Sequence, residues 1–552
     1  MNASLIKYIG SGLIAFALVC CGNAATRTDS DPGGKSDIAQ DSWSASCPAP
    51  NPMPRPGKAI TILGAVQGVD EGNVVSFKGV PYAYPPVGNR RFRAPEPIRC
   101  WPKTLQATSF GSACAQIDKQ GAISGSEDCL TLNIWVPKGA SPHNKKKVLF
   151  FIHGGANVVG SSAETMDGVA IYDGAKLAAH TDSVVVTINY RLGPFGWLTH
   201  SSLAGENAKG VSGNYGTLDQ LAALWWVRTH IFSFGGDSRR VLLFGQSGGA
   251  VNTCVLLTSP LARGLFSAVT MQSGGCGALD AADAHKTGND LVKAVGCDQS
   301  SYVGPCLRSL SSEQVLEAVP VKHAISGSQR VFQPNVDGYA VPNQPLATIL
   351  AGQHNSVPVT LGSNADETSM SAPPVKTKSG YEKLIRGLVP QPTAEQLLQF
   401  YPAEMYATPR KALVALTTDA AFTCNTRSLA RALSVNSPKD VYRYYFDYAL
   451  ENNPVMKNVG AYHGLEVLML FGNYHTNKYT PSAGDYTVTA QLMALWSEFG
   501  ATGGYGGAQA HWPIYNFATD PYLQLGSSLG SGAGLFTEHC DFWDTVVGDW
   551  RE

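Results

Sequence analysis

The stretch V241-L-L-F-G-Q-S-G-G-A-V-N252 sets an apolar run against a small, glycine-flanked serine. VLLF reads as a buried strand, and AVNTCVLL after the serine can be helical. G245-Q246-S247-G248-G249 between them matches the strand-turn-helix setting in which glycines let the backbone turn sharply and hold a serine hydroxyl clear of a sheet. The pattern alone is weak, because 58 glycines make chance matches common. A second copy, G526-S527-S528-L529-G530, is followed by SGAG with no helix to begin, so Ser528 reads as turn chemistry.

Other short apolar runs, at 148–152, 183–190, 268–272, 357–361 and 441–446, have the length and β-branched or aromatic content of strands covered on both faces. Helical patterns lie between several of them. One is TLDQLAALWWVRTHI at 217–231, where Leu218, Leu221, Ala222 and Trp225 form an apolar stripe. This alternation predicts a large, mostly parallel α/β sheet with helices on both faces. The earlier runs AITILGAV and VVSFKGVPY predict a small N-terminal antiparallel piece.

A serine hydroxyl needs a base for its proton and donors for the oxyanion it creates. The run VLFFI ends in H153-G154-G155-A156-N157, where small residues open backbone amides to a ligand; Gly155, Ala156 and Gly248 are the candidate donors. Asp366 and Glu367 follow the strand VPVTLG, at the sheet end where catalytic groups gather. His463 in GAYHGLEVLMLFG is the candidate base. Serine, acid, histidine is the chain order of α/β-hydrolase triads.

Composition narrows the class. Of the 552 residues, 44% are hydrophobic and 15% charged, enough apolar material for a large core. A formal charge of −1, with no basic cluster, argues against nucleic acid as a partner. Residues 1–24 read as a signal peptide and 25–57, polar and rich in Ser, Asp and Gly, as a tether. Cys21 stands where a bacterial lipoprotein carries its lipid, with plain cleavage near Ala24 as the alternative. The chain is therefore expected to be exported: periplasmic, an outer-membrane lipoprotein or secreted. Setting Cys20 and Cys21 aside, ten of the twelve cysteines remain, which favours disulfides. No C-x-x-C follows the signal and no H-E-x-x-H occurs, so neither a metal nor another cofactor is expected.

From residue 58 to the end, read as a single domain, the chain resembles the type B carboxylesterase family, the group of para-nitrobenzyl esterases and cholinesterases. FKGVPYAYPPVGNRRFRAPEP, SEDCLTLNIWVP, HGGA, INYRLGPFGWL, GNYGTLDQLAALWWV, FGGDSRRVLLFGQSGGA, SPLARGLFSAVTMQSG, GSNADET and AYHGLEVLMLFG look like its successive blocks. The resemblance implies an α/β-hydrolase fold and a serine carboxylesterase. Ser247 would be its nucleophile, Glu367 its acid, His463 its base, and Gly155, Ala156 and Gly248 its oxyanion donors.

It also implies three bridges, Cys114–Cys129, Cys297–Cys306 and Cys424–Cys540; the first would contribute about 3 kcal/mol and the last somewhat more. Cys47, Cys100, Cys254 and Cys276 remain, with Cys47–Cys100 a candidate pair and free buried cysteines the alternative. Three departures stand out: Gln246 replaces the usual Glu, Thr368 the usual Gly, and Ala156 the third glycine of the oxyanion loop. The loop between Cys114 and Cys129 holds no aromatic residue, whereas cholinesterases place a cation-binding tryptophan in the corresponding loop. A small to medium, largely apolar ester is the expected substrate. A lipase or lysophospholipase activity, or a catalytically silent binding protein, are the other readings.

Overall fold

The computed structural model describes residues 57–545 apart from Lys119, 320–322, 325–326, 329–330, Pro390 and 508–511. The expected signal peptide, Cys21, Cys47 and nearly all of the tether lie outside the described residues.

An eleven-stranded sheet organises the chain. Its strands are β1 (Val69–Asp70), β2 (Val74–Pro81), β3 (Thr131–Pro137), β4 (Lys146–Ile152), β5 (Val184–Ile188), β6 (Gly236–Gln246), β7 (Ala268–Gln272), β8 (Val359–Asn364), β9 (Val441–Phe446), β10 (Pro521–Leu525) and β11 (Leu529–Ala533). They lie in the order β11-β10-β9-β8-β7-β6-β4-β5-β3-β2-β1. The central block from β10 to β5 is parallel, and the outer strands pair antiparallel.

Side chains alternate across a strand, so each strand of this block serves two cores. Val148, Phe150 and Ile152 of β4, with Val241 and Leu243 of β6, enter one hydrophobic cluster. Leu149 and Phe151, with Leu242 and Phe244, enter the other. Burial on both faces explains why these strands read as unbroken apolar runs. Helices α1 (Tyr215–His230) and α2 (Gly248–Thr258) cover the first face. Helices α5 (Leu465–Phe471) and α6 (Ala483–Thr502) cover the second. A third core is helical, joining α3 (Pro409–Thr418), the start of α4 (Cys424–Asn436) and α7 (Thr537–Thr545).

Three expectations change. AITILGAV is not one strand but a hairpin, Lys58–Thr61 with Gly64–Gln67, in a separate three-stranded sheet. VVSFKGVPY leaves that small piece and becomes β2 of the large sheet, paired with β3. In α1 the proposed stripe points mostly the wrong way: Trp225 is 53% exposed and Leu218 and Ala222 are half-buried, while Leu221, Leu224 and Val227 are core. Polarity misled the reading because the buried face carries Asp219, which Arg191 satisfies with bonds of 2.8 and 2.7 Å.

The bridges Cys114–Cys129, Cys297–Cys306 and Cys424–Cys540 are formed. Cys254 and Cys276 are not free but joined, tying α2 to the loop after β7. Cys100 is disulfide-bonded as well. The four pairs formed within the described residues suit an extracellular or secreted protein. No helix among the described residues is long and apolar enough to cross a membrane.

Candidate active site

Ser247 sits between β6 and α2 with φ 58° and ψ −124°, a left-handed conformation that a side-chain-bearing residue adopts only under restraint. Its amide donates to the Gln272 carbonyl at 2.9 Å, anchoring the turn to β7. The neighbouring glycines are required by close approach. A Cβ on Gly245 would lie 2.3 Å from the Gly249 carbonyl oxygen, and one on Gly249 would lie 2.1 Å from that of Ile152. Ser528, by contrast, lies at the turn between β10 and β11.

Strand β4 ends beside this turn and delivers His153 through Asn157 to it. Ala156 and Asn157 have φ of 52° and 64°, so the loop carries two consecutive left-handed residues without glycine. Polar contacts hold it there. The Gly193 amide donates to the Asn157 carbonyl at 2.7 Å, Asn252 Nδ2 to Asn157 Oδ1 at 2.7 Å, and the Tyr190 hydroxyl to the His153 carbonyl at 2.8 Å. The backbone amides of Gly155, Ala156 and Gly248 donate to nothing else among the described residues. A Cβ on Gly248 would stand 2.9 Å from the Ala156 nitrogen, so the two backbone segments approach closely. His153 lies beneath the loop; burial pushes its pKa down to about 4, so it stays neutral.

Glu367 leaves the end of β8, and its Oε1 accepts from the Asn364 amide at 2.7 Å. Asp366 beside it pins the two loops together: its amide donates to the Ala461 carbonyl at 3.0 Å, and its carboxylate takes Lys411 Nζ at 2.8 Å. That brings His463 Nδ1 to 2.5 Å from Glu367 Oε2. Burial works to lower the His463 pKa, but the charge and hydrogen bond of Glu367, with Glu466 behind, outweigh it and raise the pKa. The ring of Phe422 packs on the imidazole at 5.0 Å. Thr368 is accommodated by α3, its hydroxyl 2.6 Å from that of Thr417.

Ser247, Gly155, Ala156, Gly248, Glu367 and His463 all border one cavity of about 800 Å³. Its walls mix backbone, polar groups and apolar side chains such as Val159, Met166, Val251, Leu346 and Phe422, with no Lys or Arg among the lining residues. Such a space holds a drug-sized organic molecule.

Matched against known families, residues 58–543 fit the model described as the carboxylesterase family. The chain belongs to that family. It is 33% identical to the para-nitrobenzyl esterase of Bacillus subtilis (strain 168) over 85% of this chain and 94% of that one. It is 30% identical to the liver carboxylesterase of Sus scrofa over 89% and 91%. A solved thermophilic PNB esterase superposes with a TM-score of 0.75 at 31% identity, covering 88% of this chain and 99% of that one. The fold is therefore that of the α/β-hydrolases, and this carboxylesterase is a carboxylic ester hydrolase acting on small-molecule esters.

One functional group escaped the reading of the sequence. Glu466 is fully buried one helical turn after His463, within hydrogen-bond reach of Asn364 Nδ2 at 2.5 Å and Gln272 Nε2 at 3.4 Å. Burial, with repulsion from Glu367, pushes its pKa up to about 7. Its signal was present: a lone carboxylate in the apolar run LEVLMLF has to face something polar.

Proposed function

We propose that this carboxylesterase hydrolyses small to medium, largely apolar carboxylic esters through a Ser247–His463–Glu367 relay and an acyl-enzyme. The observation that carries the reading is the 2.5 Å contact of His463 with Glu367 in the cavity that Ser247 borders. Glu367 accepts a hydrogen bond from Nδ1–H of neutral His463, which leaves Nε2 unprotonated to take the Ser247 proton as its oxygen attacks the ester carbonyl. The amides of Gly155, Ala156 and Gly248 receive the oxyanion. Collapse of the tetrahedral intermediate breaks the bond to the alcohol oxygen, which takes the proton back from Nε2. Water then repeats the sequence on the acyl-enzyme and frees the acid.

Two features support a neutral substrate. No cationic side chain lines the cavity to recognise a carboxylate on the substrate. Gln246 replaces a charged residue beside the nucleophile, which removes an anchor for a quaternary ammonium. The proposal includes export directed by residues 1–24 and tethering to a membrane through Cys21.

Ser247→Ala should lower turnover of para-nitrophenyl butyrate by about 10⁴-fold or more with the melting temperature unchanged. A fluorophosphonate should label the wild type once, at Ser247. Undiminished activity in the variant refutes the assignment. An unlabelled wild type without esterase activity would instead mark a binding protein.

A further inference from the structure

The floor of the cavity holds a side chain that the relay above does not use. Gln246 precedes Ser247 at the end of β6 and is buried. Its Nε2 lies 3.1 Å from Nε2 of His463, the nitrogen that has to take the serine proton. The Ser247 hydroxyl makes no hydrogen bond among the described residues. With Nδ1–H committed to Glu367, Nε2 of the neutral ring is an acceptor, and the Gln246 amide is the donor that fills it.

The amide is held between two glycines. A Cβ on Gly154 would come within 2.9 Å of Gln246 Oε1, and one on Gly464 within 3.6 Å of its Nε2. Its two ends have nearly the same size, so a half-turn about the last side-chain bond exchanges donor for acceptor in the same space.

We propose that Gln246 is a positioning residue for His463. Its N–H engages Nε2 of the neutral imidazole in the resting site and yields that lone pair to the Ser247 hydroxyl when the ester binds; after the half-turn its Oε1 faces the imidazolium, so both protonation states are supported without added charge. The inference rests on His463 being the base. It gives the departure from Glu at this position a consequence: Gln246 sets the pH at which His463 begins to work.

The surroundings show why a neutral group matters there. Glu367 faces the imidazole from the turn after β8, and Glu466 from its own helix. Tyr444 on β9 lies behind both carboxylates, with its pKa well above the ordinary value through burial. The Asp366–Lys411 pair closes the outer side of the loop. His153, held neutral by burial, and Glu164 border the same cavity. From the segment Asp419–Thr423, Ala420, Ala421 and the Phe422 ring border the cavity, and the ring packs on the imidazole. A carboxylate at position 246 would be a third around one ring. An opposite charge at this range raises a pKa by about 1–3 units.

The test compares wild type, Gln246→Glu and the near-isosteric Gln246→Met in the pH dependence of kcat/KM for para-nitrophenyl butyrate, with fluorophosphonate labelling of each. Catalysis needs the neutral imidazole, so kcat/KM rises with pH through the His463 pKa. Gln246→Glu should move that rise upward by about one unit or more, a roughly tenfold loss on its acid side. Gln246→Met should lower plateau kcat severalfold while moving the rise less than the Glu variant does. A Glu variant whose rise coincides with that of wild type, with Ser247 still labelled, overturns the role of Gln246 and leaves the relay standing. If the Glu variant does not fold, a Met variant with wild-type plateau and profile overturns it equally. A wild type that takes no label defeats the underlying relay instead.

Discussion

Glu466 sits where function and stability oppose one another, and replacing it should expose the opposition. Its carboxyl is fully buried, with a pKa raised from 4.5 to about 7 by burial first and by Glu367 second. The folded state therefore holds this proton more tightly than the unfolded chain does. Stability is lost as pH rises from about 4.5 to about 7, and the full penalty is present above that. A shift of about 2.5 units corresponds to about 3 kcal/mol. Glu466→Gln removes the ionisation at little cost in hydrogen bonds. The new amide oxygen can accept from Asn364 Nδ2, and its NH₂ can donate to Gln272 Oε1, which has no partner among the described residues. A folded body of about 490 residues has an unfolding entropy of roughly 1 kcal/mol per degree, so 3 kcal/mol is about 3 °C in Tm. The variant should melt about 3 °C above wild type at pH 8 and level with it at pH 4. Scanning calorimetry across that range reads the difference directly. The plateau of activity should fall while its pH onset moves. Glu466 helps to raise the His463 pKa, so the variant's kcat/KM should begin to rise at lower pH, with a less stabilised imidazolium. Melting curves of the two proteins that run parallel from pH 4 to 8 would refute the reasoning.

The Cys424–Cys540 bridge closes a span of 116 residues and ties α7 to the start of α4. Replacing both cysteines by Ser should cost about 5 kcal/mol by the loop-entropy argument, seen as a lower urea midpoint with an m-value that reflects a more expanded unfolded chain. At the other end of the chain, wild type expressed in a bacterium should sediment with membranes while Cys21→Ala appears in the soluble fraction. A wild type that is already soluble would rule out the lipid tether.

The departures from the family pattern are absorbed locally. The Thr368 hydroxyl meets Thr417 and the Val414 carbonyl on α3. Ala156 accepts a left-handed φ because the next residue is bonded from both sides, its carbonyl by the Gly193 amide and its side chain by Asn252. A methyl group in the left-handed region costs roughly 1 kcal/mol relative to glycine, within reach of two such bonds.

Much of the central sheet was legible because its strands are buried on both faces. Runs such as VLLF and VVVTI have no alternative use, and β7 and β9 fall on the expected residues. Ser247 was legible for a related reason, since glycines flanking a serine between strand and helix declare a turn that only close approach demands. The edges were harder. Strand β2 carries polar and glycine residues because it pairs near the rim, and nothing local says whether it joins the small sheet or the large one. In α1 the inward face was hidden by Asp219, whose burial is affordable only because Arg191, 28 residues earlier, satisfies it. Local pattern marked the central strands and the sharp turn at Ser247, and the ordered blocks carried the family resemblance that in turn implied three of the disulfide pairs. The pairing of Cys254 with Cys276, the burial of Glu466 behind the acid, and the contact between Gln246 and His463 emerged only from the fold. Those depend on distances between segments far apart in the chain, and a residue's charge state and hydrogen-bond partner are set by what surrounds it rather than by what precedes it.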